Sequence, residues 1–359
     1  MNSEISTALA EQTVELGQSS DLNVVRLAAY LAQEATLPRI ATVRRFQGGQ
    51  SNPTYLLIAD DGSEFVLRKK PSGAILPSAH QVEREYRVMQ ALALTNVPVP
   101  HVYLLCENPE IIGTPFFIMN AVPGRLFRDP TLPKVPVAER RGVYLGMADV
   151  LAKLHAVDWK SVGLDGFGRP ADYFKRQVAR WSGQVANGEN QPFARLSAWL
   201  ADNIPPEERA TIVHGDYRLE NLVFDAERPL VLATLDWELA TIGQPLADLA
   251  YNCLPFHLPS RLKGLGGIAD LSLGALGLPS EAEYVAAYCS SSGRDVIPNW
   301  NFYLAFSLFR TAAILHGVFE RAQRNNASSR DALEVGGNYA EVAEIALNIA
   351  SRSTAGGIS

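Results

Sequence analysis

At 359 residues the chain is longer than one hydrophobic core usually supports, so two lobes or domains are expected. Apolar residues make up 47% and charged residues 19%, an ordinary globular composition with surface enough for a sizeable core. The formal net charge of −6 lacks the basic footprint of a nucleic-acid binder. Three widely spaced cysteines, Cys106, Cys253 and Cys289, with no Cys-x-x-Cys, argue against a disulfide framework or structural zinc and fit reduced thiols in a cytoplasmic protein.

Residues 1–20 contain no Lys or Arg and no long apolar core. Neither a signal nor a transit peptide is expected there, only a polar, loose tail. From Asp21, an N-cap residue followed by apolar Val24, Leu27, Ala28 and Leu31 predicts a helix. Residues 1–39 therefore form a tail and helix ahead of the first lobe. Short β-rich runs from residue 40, with Gly48-Gly49 at one corner and Asp61-Gly62 at another, predict an antiparallel meander. An amphipathic helix with Val82, Tyr86, Met89 and Leu92 on one face follows, and then two more strands, near 102–106 and 115–120. Pro123-Gly124 marks a boundary, so the β-rich lobe covers 40–120 and the rest, 121–359, is mostly helical. Helices are expected at about 137–158, 171–187, 191–203, 245–254, 280–291, 298–322 and 329–352. A hairpin turning at 226–228 interrupts them. This is an α+β pattern, and two such lobes usually clamp a ligand.

Residues 302–319 are apolar enough to consider as a membrane span. Arg310 near the middle and His316 near the end make that costly. A buried helix is expected, and no membrane partner.

The stretch HGDYRLENLVFD, residues 214–225, places Asp216 five residues ahead of Asn221 and just before a strand. The hairpin that follows ends in Asp236. A loop carrying Asp216 and Asn221, with a second carboxylate at the end of the paired strand, matches the layout used for phosphoryl transfer. There one Asp faces a substrate hydroxyl while an Asn and an Asp hold Mg²⁺ against nucleotide phosphates. The bland alternative makes Asp216 a turn residue and Asp236 a cap; the joint spacing argues against it. In the first lobe, Gly48, Gly49, Ser51 and Asn52 can bring backbone N–H groups over phosphates. Arg68 at a strand end can pair with Glu85 on the next helix and hold the α/β-phosphates. Lys69 is the alternative cation, because strand side chains alternate and only one of the two can face the nucleotide. GLGGIA at 264–269 has no preceding strand, which argues against a dinucleotide fingerprint and for an irregular loop near substrate.

These residues, with FVLRKKP and REYRVMQAL upstream, resemble the aminoglycoside phosphotransferase superfamily over about residues 40–350. They are closest to the kinase-like domains fused to, or encoded beside, acyl-CoA dehydrogenases. The resemblance implies a protein-kinase-like fold, a small antiparallel N-lobe and a large helical C-lobe with the nucleotide cleft between them. It also implies an ATP- and Mg²⁺-dependent transfer to a small-molecule hydroxyl. Asp216 then maps to the base, Asn221 and Asp236 to the metal ligands, and the linker strand through Met119, Asn120 and Ala121 to the adenine contacts. His214 and Asp248 map to support of the catalytic loop. Many members have Lys where this chain has Arg68. Residues 249–325 carry five acidic and six basic side chains, no attraction for a polycation. Arg310, in an apolar helix, is expected to have an acidic partner or an anionic ligand. The subgroup points to a hydroxyacyl-CoA or hydroxy acid as acceptor and to a functional link with an acyl-CoA dehydrogenase. The other readings are an aminoglycoside or small-alcohol kinase, and a catalytically silent nucleotide-binding module.

Overall fold

The computed structural model describes residues 9, 12–16, 21–34, 37–47, 52–72, 81–185, 191–324, 331–352 and 357–358. The chain divides into two compact units. One holds residues 1–125 together with 223–227 and 232–240; the other holds 126–222, 228–231 and 241–359.

The first unit is built on a six-stranded antiparallel sheet. Its strands are β1 (Thr13–Glu15), β2 (Ile40–Phe46), β3 (Thr54–Ala59), β4 (Glu64–Lys69), β5 (Val102–Cys106) and β6 (Phe116–Asn120), in the spatial order β1-β2-β3-β4-β6-β5. Helix α1 is Val24–Glu34, α2 is Val82–Leu92, and a single turn, α3, is Pro109–Ile112. The central strands β3, β4 and β6 are buried on both faces, and side-chain alternation sorts them. Tyr55, Leu57, Phe65, Leu67, Phe116 and Ile118 form one core with Leu27 and Leu31 of α1. The intervening positions of β4 turn the other way, towards α2, which buries Val82, Glu85, Val88, Met89 and Leu92 at helical spacing.

Two sequence expectations are corrected here. The tail is not wholly loose: Thr13–Glu15 pairs in register with Arg44–Phe46. Helix α1 is capped by the Asn23 side chain, which accepts the Arg26 N–H at 3.0 Å, and not by Asp21, which is engaged elsewhere. The sheet strands themselves fall where the meander was expected.

The second unit is helical: α4 (Val137–Ala156), α5 (Tyr173–Val185), α6 (Gln191–Asp202), α7 (Pro245–Asn252), α8 (Leu273–Leu276), α9 (Glu281–Ser292), α10 (Trp300–Gln323), α11 (Ala332–Gly337) and α12 (Tyr339–Ala350). Helix α10 is the hub, packing on α5, α6, α7, α11 and α12. Among the described residues it is the one helix long and apolar enough to cross a membrane, and 67% of its apolar window is buried inside the protein. Helix α9 starts with a reciprocal capping box between Ser280 and Glu283. The single helix expected at 329–352 is two, broken around Gly337-Asn338, with residues 325–330 outside the described set. Gly336 explains the close approach at that break: a Cβ there would lie 2.6 Å from the Phe319 amide nitrogen.

Candidate active site

The loop carrying Asp216 lies in the second unit. Strand Thr211–Val213 pairs with Thr241–Gly243 and delivers the chain into His214, Gly215 and Asp216. Gly215 has φ +84°, a turn open to glycine at little cost. Helix α7 begins with Pro245 in its first turn and presents Asp248, Tyr251 and Asn252 at i, i+3 and i+4, one face. All three hold the loop. The Asp248 carboxylate accepts the backbone N–H of His214 at 2.5 Å and of Gly215 at 2.9 Å. Asn252 donates to the Tyr217 carbonyl at 3.0 Å, and the fully buried Tyr217 donates to the Met147 carbonyl at 2.8 Å.

His214 is fully buried, and its Nδ1 accepts the Asp216 N–H at 3.2 Å. A ring nitrogen occupied by the backbone is not placed to take a proton from a substrate, so the geometry makes His214 a loop support. Asp216 is half-buried. Its Oδ1 accepts the Tyr251 hydroxyl at 2.7 Å, its Oδ2 accepts Asn221 Nδ2 at 3.0 Å, and Arg218 Nε lies 3.3 Å from Oδ2. Asn221 Nδ2 also donates to the Asp216 carbonyl at 2.9 Å. With both amide hydrogens used, the Asn221 Oδ1 faces no protein donor among the described residues. It is a hard oxygen of the kind Mg²⁺ takes.

A cavity of about 530 Å³ opens beside this loop. Tyr251 and Arg218 line it together with Leu254, Leu258 and the Gly264–Gly267 loop. That loop has Gly264 and Gly266 at φ +77° and +65° and no strand leading into it, so it is the irregular loop expected and not a dinucleotide cradle. The charged side chains on the wall are Arg128, Arg218 and Lys263 against Asp129 and Glu220. Arg128 is exposed and has no ion-pair partner among the described residues.

A second polar cluster lies in the first unit. Arg68 does pair with Glu85: its Nε is 3.0 Å from Glu85 Oε2, and its Nη2 is 2.6 Å from Asp236 Oδ1 and 3.9 Å from Glu238 Oε2. Oxygens of Glu85, Asp236 and Glu238 lie within 4.8 Å of one another. Asn52, also buried, donates to Glu85 Oε1 at 2.9 Å and to Glu238 Oε2 at 3.3 Å. Burial pushes the Glu85 carboxyl up to about 7, with Arg68 opposing and the two acidic neighbours adding to the rise. Burial works against the Arg68 charge, yet the three carboxylates outweigh it and hold the guanidinium above its usual value. One cation among three carboxylates leaves an electrostatic deficit that a divalent ion fits, and the donors are all hard oxygens. Asp236 also has φ +64°, a left-handed conformation that costs a non-glycine residue about 1 kcal/mol. Trp237 secures it, fully buried and donating to the Thr234 carbonyl at 2.9 Å.

Three sequence expectations are corrected at the site. Lys69 does not face the side on which Arg68 meets Glu85. It shares its face of β4 with Phe65 and Leu67, is fully buried, and donates to the Asp21 carboxylate at 2.9 Å and the Asp21 carbonyl at 3.1 Å. The N–H groups of Asn120 and Ala121 are already occupied, by the His101 carbonyl at 2.9 Å and the Glu64 carbonyl at 3.1 Å. They are therefore not free donors for adenine, and Met119 lies within β6, in register with Val66 and Val102. Arg310 has no acidic partner among the described residues. It donates to the Gly215 carbonyl and stacks on Tyr251 and Trp181, 5.1 and 5.9 Å from the ring centroids. Gly48, Gly49 and Ser51 lie outside the described residues. Tyr251, Arg218 and Glu238 are site residues that the sequence reading passed over. The signal for Glu238 was its place two residues after Asp236, but Tyr251 looked like one more apolar helix position.

The two cations of β4 should separate cleanly by mutation. Lys69→Ala is expected to lower stability by about 2 kcal/mol. That is below the 3–5 kcal/mol typical of breaking a fully buried pair, since Asp21 is a third exposed. Nucleotide affinity should be unchanged, whereas Arg68→Ala should weaken it. Thermal melts and nucleotide titrations on both variants decide this, and the reverse order of nucleotide affinities would return the role to Lys69.

The family model described as the phosphotransferase enzyme family matches residues 42–283. Acyl-CoA dehydrogenase family member 10 of Mus musculus is 47% identical over 311 residues, covering 86% of this chain and 29% of the mouse protein. Acyl-CoA dehydrogenase family member 11 of Rattus norvegicus is 38% identical over 96% of this chain and 45% of its own length. The chain thus spans less than half of these curated relatives. A solved, provisionally named aminoglycoside phosphotransferase from Ralstonia eutropha is 41% identical, with a TM-score of 0.83 over 92% of this chain and 98% of its own. A more distant solved structure shares the fold at 14% identity and a TM-score of 0.60, over 91% of this chain and 99% of its own: the aminoglycoside phosphotransferase APH(4)-Ia with ADP and hygromycin B.

Proposed function

This chain belongs to the phosphotransferase enzyme family, small-molecule kinases of protein-kinase-like fold that act on hydroxyl groups, and from that premise we propose that it transfers the γ-phosphoryl group of ATP to a hydroxyacyl-CoA or a related hydroxy acid. The observation that carries the reading is the Asp216 carboxylate, held by Tyr251 and Asn221 beside a cavity whose wall is partly apolar and carries three cations against two acids.

In this reading Asp216 orients the acceptor hydroxyl and takes its proton as the oxygen attacks phosphorus. Asp248 and His214 keep the loop rigid, so the carboxylate needs no reorganisation at the moment of reaction. Asn221 in the second unit and Asp236, with Glu238, in the first each offer hard oxygens that would suit Mg²⁺; when bound, the ion would neutralise charge on the transferring phosphoryl group. Arg68, fixed by Glu85, supplies the phosphate-side cation in place of the more usual Lys. Its fork is always charged and suits phosphate oxygens.

The acceptor class follows from charge and shape. A polycationic antibiotic needs clustered carboxylates, and this wall has none in excess. Leu254, Leu258 and Leu262 suit an acyl chain, while Arg128 suits an anionic group; Lys263 is already paired with Glu334 at 2.7 Å. The relatives named for acyl-CoA dehydrogenases point the same way, towards partners that handle acyl thioesters. A panel assay following ADP release with hydroxyacyl-CoAs, their free hydroxy acids and kanamycin tests this. Turnover is expected with the thioesters or acids and not with kanamycin. Robust kanamycin turnover with silence on every hydroxyacyl compound would reverse the assignment.

A further inference from the structure

Asp216 has two carboxylate oxygens, and they are not equivalent. Oδ2 faces Asn221 Nδ2 and Arg218 Nε. Oδ1 has one protein partner among the described residues, the Tyr251 hydroxyl at 2.7 Å. Tyr251 lines the cavity beside the loop. Arg310 lies over the Tyr251 ring and donates to the Gly215 carbonyl, so one guanidinium fixes both the ring and the backbone just ahead of Asp216.

We propose that Tyr251, clamped by Arg310, is a positioning residue for the base, and that it directs the acceptor hydroxyl to the remaining lone pair of Asp216 Oδ1. This rests on the kinase reading of Asp216 and adds to it which oxygen reacts and what aims it. In the step, the acceptor O–H bond breaks and its proton goes to Oδ1. The acceptor oxygen forms a bond to the γ-phosphorus of ATP, the bond from that phosphorus to the β,γ-bridging oxygen breaks, and ADP leaves. Tyr251 keeps its proton throughout and remains a donor to Oδ1. Burial, then the nearby Asp216 charge, push the phenol well above its ordinary range, so it is not itself the base. Arg310 acts here through a carbonyl and a π-face, both suited to a guanidinium, and needs no anionic ligand.

Tyr251→Phe removes the hydroxyl and leaves the ring for Arg310 to cover. A hydrogen bond to a charged group is typically a factor of about 10 to 100. The test follows ADP release from MgATP with water as the acceptor, so it does not depend on the identity of the organic substrate. Tyr251→Phe should lower kcat about tenfold or more with KM for ATP unchanged, and should add no further loss on an Asp216→Asn background. Parental kcat in Tyr251→Phe overturns the inference. So does an equal additional loss in the double variant, because that would make the effect a general structural one. ADP release that is insensitive to Asp216→Asn overturns the kinase reading itself, and the inference with it.

Discussion

Replacing Asp216 by Asn lowers turnover on the organic acceptor by about 10²-fold or more, the scale of a lost general base, while nucleotide binding persists. The expectation follows from the loop. Asn keeps the shape, and its carbonyl oxygen can still accept the Tyr251 hydroxyl. What it loses is the capacity to take a proton, and its amide would set a donor against Asn221 Nδ2, which now points at Asp216 Oδ2. His214 cannot substitute, since its Nδ1 is occupied by the Asp216 N–H. Steady-state ADP release and nucleotide calorimetry on the same preparation check both halves. Near-parental turnover would remove Asp216 from the chemistry.

Asp236→Asn is expected to abolish most of the Mg²⁺-dependent tightening of ATP, on the order of 10²-fold, the size of losing one charge from a partly buried pair (about 3 kcal/mol). Asn is the better probe than Ala here, because it tolerates the φ of +64° and so separates charge from backbone strain. Metal-free nucleotide binding should remain measurable, since the Arg68–Glu85 pair survives the substitution. Calorimetry with and without Mg²⁺ reads the difference. An unchanged Mg²⁺ effect would move the ion to other ligands, Glu238 first among them.

Much of this site is legible in the sequence, for physical reasons that also set the limit. The Arg68–Glu85 pair could be foreseen because a strand end followed by an amphipathic helix brings one face of each together. Alternation said that Arg68 and Lys69 must part; it could not say which way. That was settled by register: Lys69 falls on the face of Phe65 and Leu67 and meets Asp21, 48 residues upstream, a residue that as sequence looked like a helix cap. Of the two partners expected for Arg310, the acidic one is absent among the described residues, because counting carboxylates ignores the other partners a guanidinium accepts, a carbonyl and aromatic faces. Strand β1 escaped notice because three residues carry too little pattern, and only pairing with Arg44–Phe46 gives them a conformation. The resemblance gave Met119, Asn120 and Ala121 as adenine contacts through backbone groups; a sequence locates a strand but not which of those groups its ladder uses, and here the N–H groups of Asn120 and Ala121 are taken.

The route of the chain through the first unit has a bearing on how the protein is made. That unit is closed by residues 232–240: Arg68 meets Asp236 across 168 positions, Arg84 donates to the Ala240 carbonyl at 3.0 Å, and the Thr234 amide donates to the Pro98 carbonyl at 2.8 Å. A ribosome delivering the chain from its N-terminus releases the sheet long before its last pieces. Until residue 240 emerges, Arg68 has Glu85 but lacks Asp236 and Glu238, and the part of α2 that packs on Trp237–Leu239 is uncovered. The nascent first unit is therefore an unfinished body during synthesis of nearly half of the second, a client for chaperones and a poor candidate for expression as a fragment ending at residue 125. A fragment that carries the chain on through residue 240 restores those partners, and limited proteolysis of the two fragments would register the difference as a change in cleavage within β4 and α2.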